Sequence, residues 1–196
     1  DTGGVLELSD RPTTEKTRML GSGAQMLRVD WEEARSLSEG DAARLAAGLA
    51  ARVQAAGAVI LSDYGKGGLC GPVLATVIEA ARAAKVPVLV DPKGSDYARY
   101  RGATLLTPNR KEAEEALGLR LEDVADIRKA ALRLLDASEL EAVIITLGAQ
   151  GMYCRVAQTG QEWAIPARAR TVYDVTGAGD TVIAVLAFTL AAGGDL

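Results

Sequence analysis

Short apolar runs separated by turn residues occupy the first part of the chain, through Glu33. The runs VLEL (5–8), KTRML (16–20) and AQMLRVDW (24–31) are divided by Asp-Arg-Pro and Gly-Ser-Gly, which favour turns. Runs of this length between turn residues are typical of β-strands. We therefore predict that the chain opens with strands.

The spacing of apolar residues becomes helical after Ser38. Leu45, Leu49 and Val53 recur at helical spacing behind a Ser38–Asp41 pair that resembles a capping box, which predicts a helix from about 39 to 55. Strand and helix patterns alternate from there. The predicted strands are 58–62, 86–91, 103–108 and 142–148, and the predicted helices are 72–84, 109–117, one over 124–134 and a last one after the TGAGD motif.

Strands that alternate with helices predict an α/β fold with a mostly parallel sheet. GMYCRV and EWAIPA add an antiparallel pair. Ligands of such sheets bind at the carboxyl ends of the strands. Polar loops follow all four strands, and we expect their side chains to gather at one edge: Asp63, Lys66, Asp91, Lys93, Asn109 and Glu112.

The composition of the chain excludes several kinds of functional site. The chain of 196 residues is 48% apolar and contains no histidine, which excludes catalytic triads and general bases that depend on imidazole. Cys70 and Cys154 stand far apart, which argues against a disulfide framework or a zinc site. A net charge of −4 without a basic run argues against nucleic-acid binding. No apolar run approaches the ~20 residues of a membrane span, and no signal peptide is apparent, so we expect a cytoplasmic protein.

The TGAGD motif is the strongest candidate for chemistry. Both the P-loop and the dinucleotide-binding glycine patterns are absent. Gly177, Ala178 and Gly179 stand where a helix begins, so their N–H groups can face an anion, and Asp180 beside them can accept a proton from an attacking hydroxyl. Alternatively, the motif is only a turn that opens a helix, with the aspartate complementing the helix dipole.

Three further motifs each have two alternative interpretations. Asn109 and Glu112 form the pattern of a capping box, and the same pair can orient Mg²⁺ through water. The segment TLGAQG is either a hairpin turn or a loop that lets a nucleotide approach the backbone. Lys66 and Lys93 are either solvated charges or, each beside an aspartate, ligands of a sugar phosphate.

The motifs DVTGAGDT, TPNRKEAE and TLGAQGM, in this order, resemble the ribokinase, or PfkB-type, family of carbohydrate kinases. The segments RPTTEKTRML, AQMLRVDWEE, LSDYGKG and DPKGSDYARYRGATLLTPN resemble its heptose 7-phosphate kinase branch. The resemblance implies transfer of the γ-phosphoryl group of ATP to the anomeric hydroxyl of D-glycero-D-manno-heptose 7-phosphate, a step towards lipopolysaccharide core. It also implies a ribokinase-like three-layer sandwich.

The resemblance also implies roles for individual residues. Asp180 would be the general base beside an anion hole of Gly177, Ala178 and Gly179. Asn109 and Glu112 would serve Mg²⁺ and the phosphates, and Asp174 would lie beside a monovalent cation such as K⁺. The remaining contacts would be Thr146, Gly148 and Gly151 to the nucleotide. Apart from the resemblance, Asp63, Lys66 and Lys93 are candidates for contact with the substrate, because carboxylates suit sugar hydroxyls and lysines suit a phosphate.

Residues 1–34 would be part of a β-lid that covers the sugar and forms a homodimer, and residues 35–196 the nucleotide-binding core of a single domain. The family's opening strands and the helices after the anion hole have no counterpart in the chain, so we expect the domain to be incomplete at both ends. Three alternatives stay open: a kinase of a hexose, pentose or nucleoside, a non-catalytic nucleotide or sugar sensor, and, more remotely, a nicotinamide-dependent oxidoreductase.

Overall fold

A computed structural model describes residues 2–21, 24–168 and 177–196. The chain forms a two-stranded ribbon and a six-stranded sheet with helices on both of its faces. The strands are β1 (Glu15–Gly21), β2 (Ala24–Trp31), β3 (Val59–Ser62), β4 (Val88–Asp91), β5 (Leu105–Leu106), β6 (Ala142–Thr146), β7 (Met152–Val156) and β8 (Glu162–Ile165). The helices are α1 (Glu39–Val53), α2 (Gly71–Ala84), α3 (Arg110–Leu117), α4 (Val124–Ser138) and α5 (Ala178–Ala191).

The large sheet follows the chain order β3-β4-β5-β6-β7-β8. Strands β3 to β6 are parallel, and β7 and β8 continue the sheet in antiparallel pairing. The prediction of a mostly parallel sheet is confirmed. The parallel strands place the residues that follow them, from Asp63 to Thr146, at one edge.

Alternate residues of the central strands enter two separate cores. Val88, Val90 and Val143 pack with buried residues of α1 to α4, whereas Leu89 and Ile144 pack with Ile183 and Ala187 of α5. Successive side chains of a strand point to opposite faces, so a continuous apolar run fills both cores. The described residues thus form the predicted three-layer sandwich, with α1 to α4 on one face of the sheet and α5 on the other.

The predicted strand at VLEL (5–8) is wrong. Residues 5–8 adopt no regular structure, and Gly3, Gly4, Val5 and Leu6 lie instead beside α1. An apolar run becomes a strand only where a partner strand supplies its hydrogen bonds, and none pairs with this run in the described part of the chain. The division of the chain at residue 34 stays a prediction. Among the described helices, none has the length and apolar character that a membrane crossing requires.

Candidate active site

The carboxyl ends of β3 to β6 bring four polar loops into contact. The N–H of Asp63 donates to the carbonyl of Asp91 at 3.0 Å, which joins the loops after β3 and β4. Asn109, after β5, forms a parallel bridge with Thr146, the last residue of β6. The edge is therefore continuous from Asp63 to Thr146, as the sequence predicted.

Helix α5 brings residues 177–180 of the glycine-rich motif to the same edge. It packs against β3 and β4, and the charge of Asp180 acts on Asp91. The first intrahelical bond of α5 runs from the N–H of Thr181 to the carbonyl of Gly177 at 2.9 Å. The N–H groups of Ala178, Gly179 and Asp180 precede that bond and have no acceptor within the helix, as an anion-binding helix start requires.

Gly177 has the left-handed backbone that opens α5. Its φ is 78°, and a Cβ built on it would lie 3.9 Å from Oδ2 of Asp180. The carboxylate of Asp180 therefore lies close to the glycine and is exposed to solvent. A proton acceptor and N–H donors that have no acceptor within the helix thus occupy the same turn.

Asn109 and Glu112 form a complete capping box at the start of α3. The Asn109 side chain accepts from the N–H of Glu112 at 3.0 Å, and Oε2 of Glu112 accepts from the N–H of Asn109 at 3.0 Å. Oε1 of Glu112 also receives Nζ of Lys93 at 3.1 Å. The capping interpretation is confirmed, and the pair still presents oxygen atoms with unused lone pairs at the edge of the sheet.

Asp91 contributes more to the electrostatics of the site than the sequence pattern indicated. Burial, together with the negative charges of Glu112 and Asp180, raises the pKa of Asp91 to about 6 despite the lowering effect of Lys93. Its position as the last residue of an apolar strand was the available signal. Carboxylates gathered in this way attract a cation.

These side chains can hold a magnesium ion only together with water or phosphate ligands. Carboxylate and amide oxygens are the ligands that Mg²⁺ prefers, and Mg²⁺ keeps several waters and takes phosphate oxygens. Across residues 2–21, 24–168 and 177–196, no three acidic or cysteine side chains converge closely enough to hold a metal ion by themselves. Asn109 and Glu112 therefore suit contact through water or through bound phosphates.

The TLGAQG segment is a tight turn between β6 and β7. The N–H of Leu147 donates to the carbonyl of Gly151 at 2.8 Å, and Gly148–Gln150 form a single 3₁₀ turn. A Cβ on Gly151 would lie 1.9 Å from the carbonyl oxygen of Ile165, whereas a Cβ on Gly148 would meet no atom within 4 Å. The hairpin interpretation is confirmed, and the backbone at Gly148 is open for a ligand to approach.

The residues that were predicted to contact the substrate have different surroundings in the structure. Lys93 lies in the site through its pair with Glu112. Lys66 instead pairs with Glu32 at the base of the ribbon, and its carbonyl accepts from Arg11. Asp63 is only 6% exposed. Asp174 lies outside the described residues, so its predicted cation contact stays a prediction.

The parallel sheet, the glycine-rich helix start with its aspartate and the Asn-x-x-Glu cap define an α/β protein whose polar loops meet at the carboxyl edge of its sheet. The whole chain, residues 1–196, matches the model of the pfkB family carbohydrate kinases, and the chain belongs to that family. The resemblance stated from the motifs is thereby confirmed.

Two relatives show how far the similarity extends. The bifunctional protein HldE of Wolinella succinogenes is 47% identical over 190 residues, which cover 97% of this chain and 40% of the relative. The protein of the same name from Geobacter sulfurreducens is 46% identical over 193 residues, covering 98% and 39%. The chain thus spans about 40% of the length of these relatives.

Solved structures agree on the fold. Arabidopsis thaliana ribokinase complexed with ribose and ATP superposes with a TM-score of 0.71 at 25% identity, covering 95% of this chain and 59% of the ribokinase. Escherichia coli phosphofructokinase-2 in complex with fructose-6-phosphate gives a TM-score of 0.69 at 22% identity, with coverage of 93% and 59%. The ribokinase-like fold predicted from the sequence is therefore confirmed.

Proposed function

We propose that this chain is the kinase part of an enzyme that transfers the γ-phosphoryl group of ATP to the anomeric hydroxyl of D-glycero-D-manno-heptose 7-phosphate. The products are the heptose 1,7-bisphosphate and ADP. The observation that carries the proposal is the position of Asp180 in the first turn of α5, among N–H groups that have no acceptor within the helix, at the carboxyl edge of the sheet. The similarity to proteins named HldE favours the heptose over other sugars.

Each group at the edge has a part in this reaction. The carboxylate of Asp180 takes the proton of the sugar hydroxyl as its oxygen bonds to phosphorus, and the bond to the leaving ADP oxygen breaks. The N–H groups at Gly177, Ala178 and Gly179, together with that of Asp180 itself, stabilise the charge on the transferred phosphoryl group. Asn109 and Glu112 would hold Mg²⁺ through water or phosphate oxygens, and the ion would neutralise charge on the phosphates.

The remaining contacts of the proposal concern binding. Thr146, Gly148 and Gly151 line the turn against which the nucleotide would lie, and the open backbone at Gly148 supports that placement. Lys93 would attract the phosphate groups. Lys66, at the base of the ribbon, would meet the sugar phosphate when the ribbon covers it, and Asp174 would lie near a monovalent cation.

The β1–β2 ribbon supports the proposed homodimer. Met19 and Leu27 face each other across the ribbon and are each 51% exposed, and Trp31, on the same face of β2 as Leu27, is 68% exposed. Exposed apolar clusters of this kind mark contact surfaces. We expect the Leu27→Lys variant to shift a dimer towards monomer in light scattering. The Arg18→Glu variant, on the opposite face of the ribbon, should leave it dimeric. A wild-type monomer would refute this part of the proposal.

A phosphoryl-transfer assay on the full-length protein tests the function. ADP formation is measured with heptose 7-phosphate, ribose and fructose 6-phosphate and without sugar, and phosphorus NMR identifies the product. We expect turnover with the heptose and a new anomeric phosphate signal. Preferred turnover of another sugar would identify a different kinase of the family. ATP binding without turnover of any sugar would identify a non-catalytic sensor.

A further inference from the structure

A buried tyrosine connects two of the loops at the active-site edge. Tyr100 lies in a short 3₁₀ turn, Tyr97–Tyr100, and is 0% exposed. Its hydroxyl oxygen lies 2.8 Å from Oδ2 of Asp63 and 3.1 Å from the backbone nitrogen of Lys93. The hydroxyl therefore donates to the carboxylate after β3 and accepts from the N–H of the loop after β4.

The direction of these hydrogen bonds is well determined. The carbonyl oxygen of Lys93 also lies 3.2 Å from the hydroxyl, but a hydroxyl has one proton, and its contact with Oδ2 of Asp63 is shorter, at 2.8 Å. Burial raises the pKa of Tyr100, so the hydroxyl keeps its proton. Its lone pairs then remain available for the N–H of Lys93.

Asp63 is itself held in place and is unsuited to contact the sugar directly. Oδ1 of Asp63 accepts from the N–H of Gly65 at 2.8 Å, and Arg99 lies 3.6 Å from Oδ2. The carboxylate is nearly inaccessible to solvent, with 3% of the side chain exposed. A buried charge is retained where partners satisfy it, and these partners leave Asp63 fixed as an anchor for Tyr100.

The loop that Tyr100 holds carries a charged group of the site. Lys93 is exposed along its side chain, and its Nζ reaches Glu112 at 3.1 Å. The loop continues into Gly94, which has a φ of 83°. A lysine on such a loop keeps a defined position only if its backbone is fixed, and the hydroxyl of Tyr100 contacts both its N–H and its carbonyl.

We propose that Tyr100, anchored by Asp63, is a positioning residue that holds Lys93 in the geometry needed for phosphoryl transfer. This inference rests on the proposed kinase function, and it replaces direct substrate contact by Asp63 with action through Tyr100. Removing the hydroxyl leaves the ring in the core but frees the loop. We expect the Tyr100→Phe variant to lower kcat/KM for the sugar phosphate by about 10- to 100-fold, the range that a misplaced group costs.

Tyr97 provides a matched control. It is 3% exposed and packs edge-on against Tyr100, with ring centroids 5.9 Å apart. Within the described part of the chain, its hydroxyl has no hydrogen-bond partner. The Tyr97→Phe variant therefore removes an equally buried hydroxyl without touching Lys93, and we expect its kcat/KM to match that of the wild type.

A double-mutant cycle in the full-length enzyme tests whether Tyr100 acts through Lys93. We expect the Lys93→Ala variant to lower kcat/KM and the further change Tyr100→Phe to have little added effect. Effects that multiply, or a Tyr100→Phe variant indistinguishable from Tyr97→Phe, would overturn the inference. If Tyr100→Phe fails to fold, the Asp63→Asn variant weakens the same hydrogen bond and replaces it in the cycle.

Amide hydrogen exchange of residues 92–96 separates this inference from the proposed function. We expect the Lys93 amide to be protected in the wild type and in Tyr97→Phe, and to exchange faster in Tyr100→Phe. This measurement needs no substrate, so it decides the positioning even if the wild type phosphorylates none of the sugars. Unchanged protection in Tyr100→Phe would refute the role of the hydroxyl.

Discussion

Asn109 and Glu112 satisfy each other's backbone N–H groups at the start of α3, through two hydrogen bonds of 3.0 Å. The same two side chains are the proposed contacts of Mg²⁺ and the phosphates. The cap fixes both rotamers before any ligand arrives, which reduces the cost of ordering them on binding. Helix stability and ligand preorganisation therefore come from the same pair.

The Glu112→Gln variant separates the two roles of Glu112. A glutamine oxygen still accepts from the N–H of Asn109, and the lost pair with Lys93 is a partly exposed ion pair worth about 0–1 kcal/mol. We therefore expect little change in the free energy of unfolding, but a rise of about 10- to 100-fold in the Mg²⁺ concentration that gives half-maximal activity.

The Glu115→Gln variant is the matched control, because it removes the ion pair with Lys111 from the exposed surface of the same helix. We expect its Mg²⁺ requirement to equal that of the wild type. Equal Mg²⁺ requirements in all three proteins would assign Glu112 to the cap alone.

The Asp180→Asn variant tests the general base. Loss of a positioned proton acceptor typically lowers turnover by about 10²- to 10⁴-fold, while ATP affinity is expected to survive. Asp126 is the third residue of α4, as Asp180 is of α5, so Asp126→Asn controls for the effect of charge on a helix start. Near-normal turnover in Asp180→Asn would remove Asp180 from the mechanism.

Local patterns predicted most of the elements and the residues that follow each strand. The antiparallel pair, the cap of α3 and its closing Gly118 were all predictable, because each depends on residues close in sequence. The bond between Tyr100 and Asp63 joins residues 37 positions apart, and no local spacing encodes it. The failed strand at 5–8 has the same cause, because pairing depends on distant partners.

The Gly151→Ala variant tests the turn between β6 and β7. The methyl group of alanine would collide with the carbonyl of Ile165, and the alanine backbone would have to keep a φ of 95°. We therefore expect a loss of about 2–4 kcal/mol in the free energy of unfolding. Gly118→Ala, with a φ of 61° and open space around the Cβ, isolates the backbone cost at about 1 kcal/mol. Equal losses in urea denaturation would show that the close contact with Ile165 is unimportant.

Asp91 connects the charges of the site to the stability of the fold. Burial, together with Glu112 and Asp180, raises its pKa from 3.8 to about 6. Between these values the folded state binds more protons than the unfolded state. The free energy of unfolding therefore falls as pH rises from about 4 to about 6, and the penalty for ionising Asp91 is complete above that range.

The Asp91→Asn variant removes this penalty because asparagine carries no charge. A shift of about two pKa units corresponds to about 3 kcal/mol, and partial exposure to solvent reduces the expected gain in stability at pH 7 to on the order of 1–2 kcal/mol. Urea denaturation at pH 4, 5, 6 and 7 measures it. We expect the curves of wild type and variant to converge near pH 4 and diverge by pH 6. Asp136→Asn removes an exposed carboxylate of α4, and its curve of unfolding free energy against pH should run parallel to that of the wild type. If the Asp91→Asn variant is no more stable than the wild type at pH 7, Lys93 already neutralises the charge of the site.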